Sequence, residues 1–328
     1  MVDEQAVDKT DEKGAALVNF FRKLVRRVFD RVLTGDFDYE KDMRELNRYR
    51  SQARKYELRQ LEPEVVNVMA VLTSISGRIE EGYLLFQQLY EVAEDLDDLN
   101  GMILSLLNQG VNLQDQTKYA DALDKFNAGL KLLKAHESEG RAAISRYGEL
   151  LVSKMKILIF LGELEAAKVL FEDIQVIAQD FVAAHRQSYA RVMSEAYTVM
   201  IEICRDKKDF DKAKSYMAMA LELAVGSDSN PDRIQIYLGG VRLALAQGDT
   251  ALATSYLERA QIGLDGFEES PFKGRFLMTE ARMMLSLGFG ELAPDLARRA
   301  LNTFEKYEMP EDVALAKMFL DKLEHPSI

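Results

Sequence analysis

Residues 103–134, ILSLLNQGVNLQDQTKYADALDKFNAGLKLLK, read as a helix, a short turn and a second helix. Gly110 lies mid-way along the first helix, and Tyr119, Ala122, Phe126 and Gly129 fall on one face of the second. Small residues at Gly110, Ala122 and Gly129 let two antiparallel helices approach closely, while Tyr119 and Phe126 fill the space beside the seam. The pattern recurs. Units set to begin at Pro63, Ile103, Gly148, Ser194, Ile234 and Gly274 are spaced by 40, 45, 46, 40 and 40 residues. Their fifteenth residue, at the expected turn, is Gly77, Thr117, Gly162, Lys208, Gly248 or Gly288. Their twentieth is small throughout: Gly82, Ala122, Ala167, Ala213, Ala253 and Ala293. Four residues on stand Phe86, Phe126, Phe171, Met217, Leu257 and Ala297, and three further Leu89, Gly129, Ile174, Ala220, Ala260 and Ala300.

This arrangement resembles the tetratricopeptide repeat (TPR), whose pattern has small residues at positions 8, 20 and 27 and an aromatic at 24. The resemblance covers roughly residues 63–305 and departs in two respects. The units exceed the usual 34 residues, and the Trp common at position 4 is replaced by Val66, Leu106, Leu151, Tyr197, Tyr237 and Leu277. Long units of this kind are similar to the TPR regions of maltose-regulator-type activators. A helical bundle ahead of the repeats is also similar to Rap-type peptide-sensing regulators. The resemblance implies an all-α, right-handed α-solenoid of TPR-like helical hairpins. The expected organisation is a disordered acidic tail (1–13), a basic N-terminal helical hairpin (14–61), six TPR-like repeats (62–309) and a C-terminal capping helix (310–328).

Composition agrees with a helix-rich folded chain: 48% of residues are hydrophobic and 29% charged, with six prolines and no tryptophan. No apolar run reaches the roughly 18 residues that span a bilayer. The opening MVDEQAVDKTDEKG is acidic and polar, unlike a secretory or transit peptide, so a cytoplasmic location is expected. The net charge of −12 argues against nucleic acid as a partner. The basic part is local, with 13 Lys and Arg against 7 Asp and Glu between Lys13 and Gln60. There Leu17, Phe20, Phe21, Leu24, Val25, Val28 and Val32 recur at helical spacing, with Arg22, Lys23, Arg26, Arg27 and Arg31 on the other side and Gly35 as the stop. The first reading is a cap in which Phe20, Phe21 and Phe29 are covered by the following hairpin. The second is contact with an anionic membrane surface through residues 15–33. At the other end Val313, Leu315, Met318 and Leu320 are expected to cover the last repeat.

Motifs for chemistry fail on context. GFGELA (288–293) fits G-x-G-x-x-A, but no strand precedes it. DLDDLNG (95–101) would place Leu96 and Leu107 where a calcium loop needs acids. His136, His185 and His325 are scattered, and Cys204, the one cysteine, sits on an apolar helical face. No enzyme activity, cofactor, metal or small-molecule substrate is expected.

The resemblance implies instead that the first helices of successive units line a concave docking groove. Candidate groove residues are Asn67, Asn108 and Asn112 toward the N-terminus, where amides can pair with an extended peptide. Further along come Lys156, Glu202, Arg205, Arg242, Arg275 and Arg282, whose arginines suit carboxylates. The clamp with which some TPR domains hold a C-terminal carboxylate maps onto Asn67, Val71, Asn108, Glu149 and Ser153, of which only Asn108 matches. The expected function is a non-catalytic adaptor for a protein or peptide; the alternative is a Rap-like regulator in which a bound peptide repositions the N-terminal helices. The register itself is testable. Ala122→Leu or Ala167→Leu should overpack a helix seam and lower stability by about 1–3 kcal/mol, and parent-like melting of both variants would refute the register.

Overall fold

The structure is a computed structural model that describes residues 4–34, 36–136, 142–181, 186–225, 230–265, 270–307 and 309–325. Among these the chain is all α-helix and turn. Helices α1 (Glu4–Thr34) and α2 (Tyr39–Lys55) come first, and a short 3-10 turn at Arg59–Leu61 leads into six helix pairs. These are α3 (Glu62–Ile75) with α4 (Ile79–Glu94), α5 (Leu99–Asp115) with α6 (Tyr119–Ala135), and α7 (Ala142–Phe160) with α8 (Leu164–Phe181). Then follow α9 (Arg186–Asp206) with α10 (Phe210–Val225), α11 (Asn230–Ala246) with α12 (Thr250–Gly263), and α13 (Pro271–Ser286) with α14 (Ala293–Lys306). Helix α15 (Pro310–Glu324) closes the series.

One backbone device makes every pair. Gly77, Thr117, Gly162, Lys208, Gly248 and Gly288, the fifteenth residues of the six units, all have positive φ, between 59° and 86°. Each ends its helix with the same two hydrogen bonds. The Gly162 N–H donates to the Ile159 carbonyl (2.9 Å) and the Glu163 N–H to the Leu158 carbonyl (2.7 Å); at Lys208 the acceptors are Arg205 and Cys204. This left-handed cap satisfies carbonyls that the helix would leave open and turns the chain back on itself. Five residues later the small residue arrives at the seam. Ala122, Ala167, Ala213, Ala253 and Ala293 are wholly buried. The aromatic or apolar residue of the next turn is buried too, as at Phe86, Phe126, Phe171 and Met217. A Cβ on Gly110 would run into the ring of Phe126, so glycine there sets how close the two helices come. The last pair varies the scheme. Pro294 lacks an N–H, and α14 starts late, after a turn at residues 290–292.

The chain forms two compact units, Met1–Gln109 and Gly110–Ile328. In the first unit Val18, Phe21, Val25, Val28 and Val32 of α1 share a single core with Leu46, Tyr49 and Ala53 of α2 and Val65, Val68, Met69 and Leu72 of α3. The N-terminal hairpin therefore covers the first repeat, and the two cannot be separated without opening that core. Helix α1 begins at Glu4, within the stretch the sequence reads as an acidic tail, and continues through Gly14. One expectation is corrected here. Phe20 is not covered: it is 56% exposed, whereas Phe21 beside it is 4% exposed. The expected stop at Gly35 lies outside the described residues.

In the second unit two cores follow one another. The first joins α7 to α10 through Met155, Phe171, Tyr197, Met200 and Met217 and includes Cys204. The second joins α11 to α15 through Leu238, Leu257, Phe276, Phe304 and Ala316. Of the four capping residues expected on α15, Val313 and Leu320 pack inward, but Leu315 and Met318 face solvent. Ala316 and Phe319 take their place, since the buried stripe of α15 is rotated by about one residue. Helices α7, α9, α11 and α13 lie side by side in sequence order, each packed on the next. Their partners α8, α10, α12 and α14 instead pack on the first helix of their own and the following pair. The first helices thus form one continuous row.

The caps make a paired test. Lys208 and Thr117 occupy a conformation that costs an L-residue roughly 1–2 kcal/mol, and the Lys208 side chain is exposed. Lys208→Gly should raise stability by about 1 kcal/mol, and Gly162→Ala should lower it by a similar amount, as read from urea midpoints at unchanged slope.

Candidate functional site

The row of first helices carries the charged positions singled out in the sequence, and the structure shows most of them engaged with one another. In the first unit the Asn108 side chain donates to that of Asn67 (3.2 Å). In the second, Lys156 of α7 pairs with Glu195 of α9 at 2.6 Å. Arg242 of α11 reaches Glu202 of α9 through Nε and Nη2, at 2.8 and 2.6 Å. Arg205, one turn along α9, pairs with the same Glu202 and with Asp206. Arg275 of α13 reaches Asp312 of α15 at 3.3 Å. Asn112 is placed otherwise: it is 3% exposed and accepts a hydrogen bond from Gln116, so it belongs to the interior.

The pairing follows from the repeat. A residue at the ninth position of one unit stands beside the ninth, or the second, of the next. Charges of opposite sign some forty residues apart in sequence therefore meet, tying each hairpin to its neighbour. The Glu202 pairs with Arg205 and Arg242 are about three-quarters buried, with side-chain exposures of 22–25%. At that depth a broken pair leaves a charge without compensation.

Arg282 is the exception. It occupies the ninth position of α13, next after Arg242, and is partly buried. Burial lowers the pKa of its guanidinium, and Arg242 and Arg205 lower it further, against weaker opposing effects of Glu202 and Asp312. No carboxylate among the described residues hydrogen-bonds or pairs with it. Glu202 is already taken by two arginines and Asp312 by Arg275. Another unmet donor lies on the same row: Nε2 of Gln235, at the second position of α11, is buried without an acceptor. This stretch of the row therefore carries donors in excess of its acceptors among the described residues. Sequence reasoning found Arg282 but could not distinguish it from Arg242, because both read as arginine at the same repeat position.

Elsewhere the chemistry is plain. Burial pushes the Cys204 thiol up from its ordinary pKa, away from a reactive thiolate. Among the described residues no three His, Cys, Asp or Glu side chains are placed to hold a metal ion, and no helix is long and apolar enough to cross a membrane.

No family profile matches the chain, and no curated protein matches its sequence. Solved structures do match. A tetratricopeptide repeat protein from Parabacteroides merdae superposes over 93% of this chain and 98% of its own, with 15% identity and a TM-score of 0.47. Yeast Tom70 matches over 98% of this chain and 87% of its own, with 14% identity and a TM-score of 0.39.

Glu202 is the hub that a mutation can isolate. Glu202→Gln would leave Arg205, Arg242 and Arg282 facing one another, lowering stability by about 1–2 kcal/mol. The loss should shrink as salt is raised, since screening acts on the like charges that remain. Thermal melts of parent and variant at low and high salt read both effects.

Proposed function

We propose that the protein is a non-catalytic interaction module that docks a peptide or protein segment on the row formed by α7, α9, α11 and α13. The observation that carries this reading is the partly buried Arg282, which stands at the repeat position next after Arg242 and has no acid partner among the described residues. Within a folded chain such a group is a stability defect. A ligand carboxylate, accepting two N–H bonds from the guanidinium, would remove it. The surrounding pairs, Arg242–Glu202 and Arg275–Asp312, hold the neighbouring side chains in place, so little ordering is left for the binding step. A peptide or protein bearing an accessible carboxylate, from its terminus or from Asp or Glu, is the partner that fits. The match to the carboxylate clamp known in TPR domains is poor at the level of residues, so the site is placed further along the row than that clamp.

A single variant separates this role from a structural one. Arg282→Met should keep or slightly raise the melting temperature, since it removes repulsion from Arg242 and Arg205. In a fluorescence-polarisation screen against acidic peptides the same change should weaken binding by roughly 10- to 100-fold, the value of one charge-assisted contact. A variant that melts lower than the parent and binds peptides equally well would assign Arg282 to the fold and end the proposal.

A further inference from the structure

The N-terminal hairpin carries a second surface, independent of the helix row. Helices α1 and α2 run antiparallel: Arg31 near the end of α1 pairs with Asp42 and Glu45 at the start of α2, and Phe21 meets Tyr49 and Tyr56 at the other end. The apolar stripe of α1 faces α2 and α3, so its opposite stripe faces solvent. On that stripe lie Phe20, Lys23 and Arg27, all exposed. On α2 the exposed side continuing from Glu45 carries Arg44, Arg48 and Lys55. Arg31, one turn beyond Arg27, pairs with Glu45, which also accepts from the Tyr49 hydroxyl, so this side of α1 lies beside α2. Most other cations of this hairpin are neutralised: Arg22 by Glu64, Arg26 by Asp30, and Arg50 and Arg54 by Glu62. Lys23, Arg27, Arg44 and Arg48 have no acid partner among the described residues, and Lys55 has only the ring of Tyr56, 5.8 Å away.

At one end of this cation stripe stand two aromatic rings. Phe20 is 56% and Tyr56 50% exposed, and both lean on the buried Phe21, at 5.7 and 6.4 Å between ring centroids. Nothing about packing requires Phe20 to be outside; the core of α1 is complete without it.

We propose that this outer face of α1 and α2 docks on an anionic lipid surface. Long, unpaired Lys and Arg side chains meet a fluid sheet of headgroups without needing a fixed geometry, and the rings of Phe20 and Tyr56 enter the interfacial layer beside them. The outward side of two neighbouring helices is convex, which suits a planar surface. It does not embrace an extended peptide in the way a groove does. A nucleic acid, which extends beyond one face, would meet the field of a chain with a net charge of −12. A membrane touches that face alone.

The experiment is co-sedimentation of the full chain with vesicles of phosphatidylcholine alone or mixed with phosphatidylserine. Binding is expected only with phosphatidylserine and should fade as salt is raised. Lys23→Glu/Arg27→Glu/Arg48→Glu should reduce it at least tenfold, and Phe20→Ser should weaken it by several-fold. All four side chains are exposed, so far-UV circular dichroism and the melting temperature should match the parent. Arg282→Glu, on the helix row, should sediment like the parent, which keeps this face distinct from the peptide site. Absence of binding to the mixed vesicles, equal binding to both kinds, or binding unchanged in the triple variant would each overturn the proposal. So would tighter capture of labelled single-stranded DNA or polyglutamate than of vesicles through the same three residues.

Discussion

A single left-handed residue, set five positions ahead of a buried small one, underlies the architecture. The positive φ at Gly77, Thr117, Gly162, Lys208, Gly248 and Gly288 fixes both the direction in which each second helix leaves and the point at which it first touches its partner. Had the turn been one residue longer, the buried face of the second helix would have rotated by about 100° and presented lysines and glutamates to the seam. Close approach at Ala122, Ala167, Ala213, Ala253 and Ala293 then lets larger residues one turn on reach across. The hairpins differ in length and in their aromatic content, but not in this interval.

Stability in such an array comes from each hairpin and from its contact with the next. The row of first helices shows both the apolar and the polar side of that contact. Cores run on from one pair to the following one, while Lys156–Glu195 and Arg242–Glu202 join the same helices at the surface. The ends need different solutions. At the N-terminus two helices share a core with the first repeat. At the C-terminus α15 covers α14 and contributes Asp312 to Arg275. Arg282 stands where this series of pairs runs out of acids. The same geometry that binds neighbouring hairpins together thus leaves one guanidinium without an acid partner among the described residues.

Much of the fold was legible because it rests on residue size at fixed intervals. Small residues at the twentieth position located all six pairs, and the four glycines at the fifteenth marked their turns. Thr117 and Lys208 adopt the same conformation with no signal in their chemistry; only the register points to them. Helix ends were harder to read. Helix α1 starts at Glu4 in a polar, acidic stretch with no apolar periodicity to mark it, and the late start of α14 depends on Pro294. The candidate site was legible as a list of positions but not as a set of partners. Whether Arg242 or Arg282 is paired depends on acids forty residues away and on side-chain directions that no local pattern encodes. Asn112 illustrates the limit, since a small rotation of α5 decides between groove and interior. Phe20 illustrates another: at helical spacing it is indistinguishable from the core residues beside it.

The setting of Cys204 has a practical side. Its sulfur is enclosed between α9 and its neighbours, 6% exposed and held as the thiol. Maleimide dyes or spin labels would react with a cysteine engineered onto any outward-facing helix well before they reached it. The native sequence thus offers a quiet background for site-specific labelling, and distances between chosen hairpins can be followed in solution without first deleting a residue from the interior.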